Sequence, residues 1–254
     1  MKSIIYGPVS SWRLGKSLGV DLVSAKDKTC SFDCIYCQLG STVHPLTERR
    51  QFVAIDQLKQ ELDSVKHIAA DYLTFSGSGE PTLASNLGEA ITLAKSTLPL
   101  PVAVLTNSSL MPRGDVCDDL AQADVVIAKV DAPDEQVFRQ INNPKVDYSL
   151  DQILRSIEHF RKGFKGKLAL QMMFVPANKD YAREMAEIAR RLLPDEVQLN
   201  TPLRPCPVKP LTLEEMGIIQ KEFGALKAVS IYQASPPEVE PLNLEETLQR
   251  RPKL

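Results

Sequence analysis

The chain has 254 residues, and its 30 lysines and arginines are nearly balanced by 32 aspartates and glutamates. A formal net charge of −2 excludes a strongly basic surface as the main cause of binding, so composition gives no support for non-specific nucleic-acid affinity. No run of about 18 apolar residues predicts a transmembrane helix. The N-terminal segment lacks the apolar stretch and small-residue cleavage site of a signal peptide. We therefore expect a cytoplasmic protein with no membrane partner.

After Ser17, short apolar segments alternate with amphipathic ones, as in a parallel sheet that is buried on both faces. The predicted strands cover residues 18–23, 72–75, 102–106, 125–130, 168–175, 197–200 and 228–232. Six or seven β–α units without a low-complexity linker predict one α/β domain. A partial (β/α)6 TIM-like barrel is favoured over a complete one because there are too few strands for eight units.

Polar residues three positions apart mark the starts of several helices. Capping boxes are predicted for Asn86 with Glu89, for Ser149 with Gln152 and for Thr212 with Glu215. Two apolar stripes at helical spacing predict core-facing surfaces. They are Leu150, Ile153, Leu154, Ile157 and Phe160 in one helix, and Tyr181, Met185, Ile188 and Leu192 in another.

The chain divides into a barrel and a short C-terminal region. We expect the barrel over residues 1–235, with residues 1–17 as an N-terminal extension, and an extended segment with a short helix over 236–254. The proline-rich stretch 236–241 predicts the extended segment. Asn243, with Glu246 three residues later, predicts the cap of the last helix.

Three of the five cysteines lie close together, directly after the first predicted strand. Cys30, Cys34 and Cys37 have the spacing C-x3-C-x2-C, and an odd number of cysteines argues against a disulfide framework. Three thiolates on one loop can hold three irons of a 4Fe–4S cluster, which leaves the fourth iron open to an exogenous ligand. The alternative is zinc, because His44 follows Cys37 closely enough to complete a Cys3His ligand set.

The strand over 72–75 leads into a glycine-containing loop, Gly77, Ser78, Gly79 and Glu80. Glycines at the end of a strand let the backbone approach a ligand, although a simple turn into the next helix has the same composition. Other predicted strands also end in polar residues, where α/β barrels collect their ligand-binding groups. These residues are Asn107, Lys129, Asp131, Gln171, Gln198 and Asn200, with Met173 on the fifth strand.

The cysteine loop, with Tyr36 before its last cysteine, resembles the signature of the radical S-adenosylmethionine superfamily. The loop 77–80 resembles the GGE motif of that superfamily, with Ser78 at the second glycine-like step. The resemblance implies that Cys30, Cys34 and Cys37 ligate a 4Fe–4S cluster that cleaves S-adenosylmethionine. It further implies a low-potential electron donor such as a flavodoxin- or ferredoxin-like protein.

The same resemblance assigns roles to residues around the cofactor. Tyr36 packs near the adenine, and Gly77, Ser78, Gly79 and Glu80 bind the methionyl ammonium group. The ends of the fourth and fifth strands meet the ribose and the carboxylate of S-adenosylmethionine. Asp131 is the first candidate for these contacts, followed by Asn107 and Asn200.

Longer segments resemble a subgroup, the Fe–S oxidoreductases grouped near the enzymes of wybutosine synthesis on tRNA. They cover residues 6–9, 13–19, 75–83, 197–205 and 235–237. The remaining Cys117 and Cys206 are too few for the second cluster of the wybutosine-forming enzymes, so action on tRNA is only an alternative. Trp12 interrupts a region that in relatives often has paired arginines, which puts an anion-binding role there in doubt. A zinc-stabilised module without catalysis is the alternative from another class.

Overall fold

A computed structural model describes residues 3–233, 235 and 237–252. In this part of the chain the strands are β1 (Ile5–Ser11), β2 (Gly15–Val20), β3 (Thr29–Cys30), β4 (His44–Pro45), β5 (Tyr72–Phe75), β6 (Val102–Thr106), β7 (Val125–Lys129), β8 (Lys167–Met173), β9 (Glu196–Asn200) and β10 (Ala228–Ser230). The α-helices are α1 (Ile55–Ser64), α2 (Leu87–Thr97), α3 (Gly114–Leu120), α4 (Glu135–Asn142), α5 (Leu150–Gly163), α6 (Ala182–Leu192), α7 (Leu213–Glu222) and α8 (Leu244–Arg250).

The main sheet has the strand order β1-β2-β5-β6-β7-β8-β9-β10 among the described residues. Every pair from β2 to β10 is parallel, and only the edge strand β1 runs antiparallel. Because neighbouring strands follow chain order, each crossover places its connecting segment on the same side of the sheet. The sheet curls into a partial barrel, and the predicted fold class is confirmed.

Strand β1 was not predicted, and it lies within residues 1–17, where we expected only an N-terminal extension. It contains Gly7 and Pro8, and its register with β2 shifts between Tyr6 and Val9. An edge strand tolerates proline because one row of its N–H groups has no partner strand. The hairpin also moves the start of β2 forward to Gly15. At the other edge, β10 ends at Ser230 and a 3-10 turn over Ile231–Gln233 replaces the end of the predicted strand.

The core lies between the convex face of the sheet and the helices. All five apolar residues predicted for the α5 stripe are buried. The predicted α6 stripe is wrong at Tyr181, which is 37% exposed, and Ile188 is only partly buried. Helix α6 begins at Ala182, and small residues let it pack closely against the sheet. Its buried residues are Ala182, Met185, Ala186, Ala189 and Leu192.

Two of the predicted capping boxes are present, at Ser149 and Thr212, and Asn243 accepts a hydrogen bond from the N–H of Glu246. The prediction for Asn86 is wrong. Its side chain makes no cap hydrogen bond: the amide Nδ2 donates to the carbonyl of Val53 at 3.0 Å, and in this orientation the buried Oδ1 has no partner among the described residues. A contact from outside the helix therefore replaces the local cap.

A small apolar cluster lies on the concave face, separate from the main core. Leu14, in the turn between β1 and β2, packs there against residues from three neighbouring strands. These are Ala103, Val125, Ile127 and Ala169. Because they lie in the first halves of their strands, the β1–β2 turn closes the lumen at the N-terminal end of the parallel strands.

The C-terminal region packs back onto this hairpin. The N–H of Leu242 donates to the carbonyl of Gly7 at 2.6 Å. Arg250 in α8 is 1% exposed, and its Nε lies 2.9 Å from a carboxylate oxygen of Asp21, which is 2% exposed. Pro236, the first residue of the predicted extended segment, lies outside the described residues. None of the helices in the described ranges is both long and apolar enough to cross a membrane.

Candidate functional site

A cavity of about 320 Å3 occupies the lumen and the C-terminal ends of the parallel strands. It is lined by the cysteine loop after β2, the glycine loop after β5 and the ends of β6 to β9. The predicted site residues that line it are Cys30, Cys34, Tyr36, Cys37, Gly77, Gly79, Glu80, Asn107 and Asn200. Ser78 and Asp131 are buried next to the cavity but do not line it.

The cysteine loop is held at both of its ends. Cys30 lies in β3, and its carbonyl accepts a hydrogen bond from the N–H of Leu46 at 3.1 Å. The N–H of Cys37 donates to the carbonyl of Cys34 at 3.1 Å, which closes a turn between the last two cysteines. The loop also contacts the end of α4, where the N–H of Ile35 donates to the carbonyl of Ile141 at 3.0 Å. The backbone therefore presents all three thiols to one cavity.

Side-chain amides from two other segments point at two of the sulfurs. Asn107 Nδ2 lies 3.6 Å from Cys30 Sγ, and Asn142 Nδ2 lies 3.5 Å from Cys34 Sγ. Burial, and then the nearby charge of Glu80, raises the pKa of Cys30 to about 12. Burial also raises the pKa of Cys34. Buried thiols of this kind keep their protons unless a cation replaces them.

The fourth member of the alternative zinc set is not brought to the three cysteines. His44 does not line the cavity, and its exposed imidazole lies 3.9 Å from a carboxylate oxygen of Asp27. Within the described ranges, no group of three or more His, Cys, Asp or Glu side chains gathers in a way that would hold a single metal ion. A cluster differs in this respect, because each of its thiolates binds a different iron.

Tyr36 is held by a buried polar network. Its hydroxyl donates to the carboxylate of Asp131, and Asn142 Nδ2 donates to the same carboxylate at 2.8 Å. The other oxygen of Asp131 accepts the backbone N–H of Met173 at 2.9 Å. Lys129 Nζ lies 3.4 Å from the hydroxyl and 4.9 Å from the ring centroid of Tyr36. Asp131 thus lies behind Tyr36, where it positions the ring.

The charges in this network compensate one another. Burial and the charge of Arg13 lower the pKa of Lys129, but the charge of Asp131 and, when they are ionised, those of Cys34 and Cys37 outweigh them, so the pKa is raised overall. Burial, and then the charge of Asp131, raises the pKa of Tyr36 well above its usual value. Lys129 is therefore a cation and Tyr36 is a neutral hydrogen-bond donor at neutral pH.

The glycine loop is held close to the cysteine loop. The N–H and the hydroxyl of Ser78 each donate to the carboxylate of Asp21 at 3.1 Å, which anchors the loop from behind. A Cβ atom on Gly79 would lie 1.8 Å from the carbonyl oxygen of Thr29. Only glycine allows this approach, which brings Glu80 next to the cysteine loop.

Glu80 is buried, and its carboxylate accepts four hydrogen bonds from the protein. The donors are the N–H and the hydroxyl of Thr82, the hydroxyl of Thr106 and the N–H of Asn107, at 2.7 to 3.1 Å. Burial raises the pKa of Glu80, and these hydrogen bonds oppose that effect. They also fix the direction in which the carboxylate faces the cavity.

Asn200, at the end of β9, has an unused hydrogen-bond acceptor. Its backbone carbonyl accepts the N–H of Phe174 at 2.7 Å, but its buried side-chain oxygen Oδ1 has no partner among the described residues. Because the residue lines the cavity, this oxygen is available to a ligand that carries a donor.

The sequence analysis missed three arginines that line the same cavity: Arg13, Arg204 and Arg251, here called the arginine cluster. Trp12 does not remove basic character from this region. The guanidinium carbon of Arg13 lies 5.2 Å from the centroid of the Trp12 ring, and both residues face the cavity. Asn142 and Arg250 were also missed, because nothing in their local sequence signals a role.

The two remaining cysteines are not part of the site. Neither Cys117 nor Cys206 lines the cavity. The sulfur of Cys117 lies 3.2 Å from the carbonyl of Met111, and that of Cys206 lies 3.2 Å from the carbonyl of Val208. Burial, and then the charges of Asp118 and Asp115, raises the pKa of Cys117 to about 11, as expected for a packed thiol.

Comparison with known proteins adds independent findings. The family model of the radical SAM superfamily matches residues 28–189. The chain is 38% identical over 227 residues to the UPF0026 protein MJ1312 of Methanocaldococcus jannaschii, covering 86% of this chain and 70% of the relative. It is 39% identical over 206 residues to the UPF0026 protein slr1464 of Synechocystis, covering 81% of this chain and 77% of the relative.

Solved structures support the fold. SuiB of Streptococcus suis, bound to S-adenosylmethionine, superposes with a TM-score of 0.63 over 80% of this chain and 48% of SuiB, at 12% identity. A radical SAM methyltransferase from Sphaerobacter thermophilus superposes with a TM-score of 0.61 over 84% of this chain and 65% of the methyltransferase, at 17% identity. Identities this low support the shared fold and not a shared reaction.

Proposed function

The chain belongs to the radical SAM superfamily, and on that premise we propose that it is a radical SAM enzyme in which Cys30, Cys34 and Cys37 hold the 4Fe–4S cluster. When bound, the cluster and S-adenosylmethionine supply a 5′-deoxyadenosyl radical that takes hydrogen from a substrate. One observation carries the proposal: the three thiols and the loop 77–80 face a single cavity at the C-terminal ends of the parallel strands.

The donor set fits a cluster. All five cysteines are free thiols, so none is consumed by a disulfide, and thiolates are the ligands that iron–sulfur clusters use. Asn107 and Asn142 donate toward Cys30 and Cys34, and hydrogen bonds to the sulfurs tune the reduction potential of a cluster. The raised pKa values of Cys30 and Cys34 indicate that iron has to replace the thiol protons for these sulfurs to bind.

The rest of the cavity fits a charged, polar nucleoside ligand. We propose that Gly77, Gly79 and Glu80 hold the methionyl group, with the Glu80 carboxylate facing its ammonium. Tyr36 packs beside the adenine, and Asn200 Oδ1 accepts a hydrogen bond from the ligand. Asn107 contributes by directing its amide at Cys30.

Two of the predicted cofactor residues act through others. Asp131 does not line the cavity, and we assign it as a positioning residue for Tyr36. Ser78 is likewise a positioning residue, because its hydrogen bonds to Asp21 hold the loop that presents Glu80. We therefore assign the direct contacts with the cofactor to the residues that they position, Tyr36 and Glu80.

The proposal includes a class of reaction and a setting. We propose an oxidoreductase or a lyase that receives its electron from a flavodoxin- or ferredoxin-like donor, in the reducing environment of the cytoplasm, where free thiols persist. The near-neutral charge of the chain does not favour tRNA as the substrate.

The test is anaerobic reconstitution with iron and sulfide, followed by reduction, EPR spectroscopy and an assay for 5′-deoxyadenosine. We expect a reduced 4Fe–4S signal that changes when S-adenosylmethionine is added, together with the formation of 5′-deoxyadenosine. Replacing Cys30, Cys34 or Cys37 singly with alanine should abolish both results without loss of helical content by circular dichroism.

Cys206→Ala is the matched control, because it removes a partly buried thiol that does not line the cavity. This variant should retain the signal and the cleavage. Cleavage that survived in all three single variants of the cysteine loop would refute the assignment. A colourless protein that held zinc through these cysteines would refute it equally and favour the non-catalytic binding module.

A further inference from the structure

The arginine cluster brings three cationic side chains from distant parts of the chain to one cavity. Arg13 enters from the β1–β2 turn, Arg204 follows β9, and Arg251 follows α8. Each guanidinium group is charged at neutral pH and presents several N–H donors in a plane. Bringing them together is therefore electrostatically unfavourable unless a negatively charged group lies between them.

The protein supplies no such charge to Arg13. Its Nε and Nη1 are shielded from solvent and have no hydrogen-bond partner in the described part of the chain. The hydrogen bonds of the other two go to neutral groups. Arg204 Nη1 donates to Gln38 Oε1 at 3.1 Å, and Arg251 Nη2 donates to the hydroxyl of Ser76 at 2.8 Å.

The electrostatics of the cluster agree with this geometry. Burial, and then repulsion from Arg251 and Arg204, lowers the pKa of Arg13 from 12.5 to about 9. Burial, and then repulsion from Arg251, lowers the pKa of Arg204 to about 10. Glu80, the one acidic residue among the described residues that line the cavity, already accepts four hydrogen bonds from Thr82, Thr106 and Asn107. An unpaired buried donor and like-charge repulsion together mark a place for an anion.

We propose that Arg13, assisted by Arg204 and Arg251, binds the carboxylate or phosphate group of a small-molecule substrate. This inference rests on the proposed function, because the bound molecule is the one from which hydrogen is taken. Planar guanidinium groups bind either oxyanion through paired hydrogen bonds, so the two anions share one recognition chemistry.

The enclosure favours a small molecule over a polymer. The whole cavity, which by the proposed function also admits the cofactor, has a volume of about 320 Å3, at the lower end of the range of small-molecule pockets, so little room remains for a substrate. Leu14 seals the lumen just beneath Arg13 by packing on the concave face. A polymer can reach this position only by inserting one terminal or side group from the C-terminal side, whereas a small molecule enters whole.

Arg13 itself comes from the end of the strands opposite the cofactor loops, whereas its two partners lie beside those loops. The cysteine and glycine loops follow the C-terminal ends of β2 and β5, whereas Arg13 lies in the turn before β2, at the N-terminal end of the strands. Arg204 and Arg251 are hydrogen-bonded to Gln38 and Ser76, which adjoin Cys37 and Gly77. An anion held by all three guanidinium groups would thus lie beside the cofactor loops, where a substrate has to lie for its hydrogen to be taken. Titration with S-adenosylmethionine distinguishes this anion from the carboxylate of the cofactor.

The single tryptophan of the chain makes the inference directly testable. Trp12 is the only tryptophan, lines the cavity and lies against the guanidinium of Arg13, so its fluorescence reports on this position. The full chain, as isolated, is titrated with inorganic phosphate, and separately with acetate, at constant ionic strength maintained with chloride. We expect a saturable change in tryptophan fluorescence with at least one of these two anions.

Arg13→Gln should weaken the apparent affinity at least tenfold, since it removes a charge-assisted pair of hydrogen bonds. Arg204→Gln should weaken it less, and it replaces Arg13→Gln if the latter does not give a native circular dichroism spectrum. Arg183→Gln is the matched control, because Arg183 is an exposed arginine on α6. It should bind like the wild-type chain.

The inference is overturned if neither anion gives a saturable change, if Arg13→Gln and Arg204→Gln both bind like the wild type, or if Arg183→Gln weakens binding as much as they do. It is also overturned if S-adenosylmethionine alone produces the Arg13-dependent change, because the bound anion is then the carboxylate of the cofactor. The titration needs neither iron, reductant nor turnover. A failure of cluster assembly would therefore count against the proposed function and leave this measurement intact.

Discussion

Two sides of the same cavity solve the problem of burying polar groups in opposite ways. The cysteine wall consists of loops 30–37 and 77–80 with Asp131 and Asn142 behind them, and the arginine cluster faces the same space. Both oxygens of Asp131 accept hydrogen bonds, and the charge of Lys129 lies beside them. Arg13, by contrast, has two buried nitrogens without a partner in the described ranges.

This difference in hydrogen bonding indicates a different role for the cysteine wall and for the arginine cluster. A polar network completed within the protein holds its members in one geometry, as a site that must position a cofactor requires. Polar atoms left without a partner raise the free energy of the ligand-free state, and a ligand that satisfies them regains that energy on binding. The cysteine wall is therefore prearranged, whereas the arginine cluster is complete only with its anion.

The largest loss of stability is expected from disrupting the hydrogen-bond network behind the cysteine wall. Asp131→Ala removes the acceptor of Tyr36, Asn142 and the backbone of Met173, and leaves the charge of Lys129 without compensation. A buried donor left without its acceptor costs about 1–3 kcal/mol, and this change affects three donors, so we expect a loss of about 3–5 kcal/mol. Urea denaturation should show a decrease of this size in the free energy of unfolding.

Asp151→Ala is the control for Asp131→Ala. Asp151 is exposed on α5 and pairs only with Arg155, one helical turn away, at 2.9 Å. Exposed pairs of this kind contribute about 0.5 kcal/mol or less. Equal losses in the two variants would show that the network behind Tyr36 does not hold the wall.

An intermediate effect is expected from the contact between the two cofactor loops. Gly79→Ala places a methyl group against the carbonyl of Thr29, which is backbone and cannot rotate away. Overpacking of this kind costs about 1–3 kcal/mol, and the displaced loop should also lower the yield of 5′-deoxyadenosine after reconstitution.

Gly114→Ala provides the comparison for Gly79→Ala. Gly114 is the first residue of α3, and a Cβ atom there would meet nothing within 4 Å. Alanine favours the helix over glycine by up to about 1 kcal/mol, so this variant should be as stable as the wild type or slightly more so. Cleavage activity that Gly79→Ala left unchanged would mean that the close approach of the loops is not needed.

The smallest effect on stability is expected from replacing Arg13, and this substitution should stabilise the protein. Arg13→Met removes an unpaired buried charge and keeps an apolar stem, so the free energy of unfolding in chloride should rise by about 1 kcal/mol. In phosphate the difference in the free energy of unfolding between Arg13→Met and the wild type should be smaller, because binding of the anion stabilises only the wild-type chain. Urea denaturation in the two salts at equal ionic strength measures both values.

Arg183→Met controls for the general effect of removing a positive charge. Arg183 is exposed and lies 3.5 Å from Glu187, so its loss should change stability by less than about 0.5 kcal/mol in either salt. A loss of stability on replacing Arg13, of the size seen for Asp131→Ala, would mean that the arginine cluster is as completely satisfied as the cysteine wall.

The sequence by itself determined the features that depend on neighbouring residues. Short apolar runs predicted the parallel strands, and apolar residues at helical spacing predicted the helices between them. Their alternation predicted the partial barrel, because each pattern is visible in a short stretch of the chain. The spacing of Cys30, Cys34 and Cys37, and the glycines at the end of β5, marked two loops that the fold then brought to one cavity. The helix caps at Ser149, Thr212 and Asn243 were also predicted correctly from the sequence.

Only the tertiary structure decided which side chains complete the site. Asn142 reaches Cys34 from the end of α4, and Arg250 reaches Asp21 from the C-terminal helix. Asn86 bonds to Val53 and makes no cap, and Asp131 lies behind Tyr36 and does not line the cavity. Each outcome depends on hydrogen bonds between segments distant in sequence, whose geometry no local pattern records. The same holds for Arg13, whose lack of a partner is a property of its surroundings and not of its neighbours in the chain.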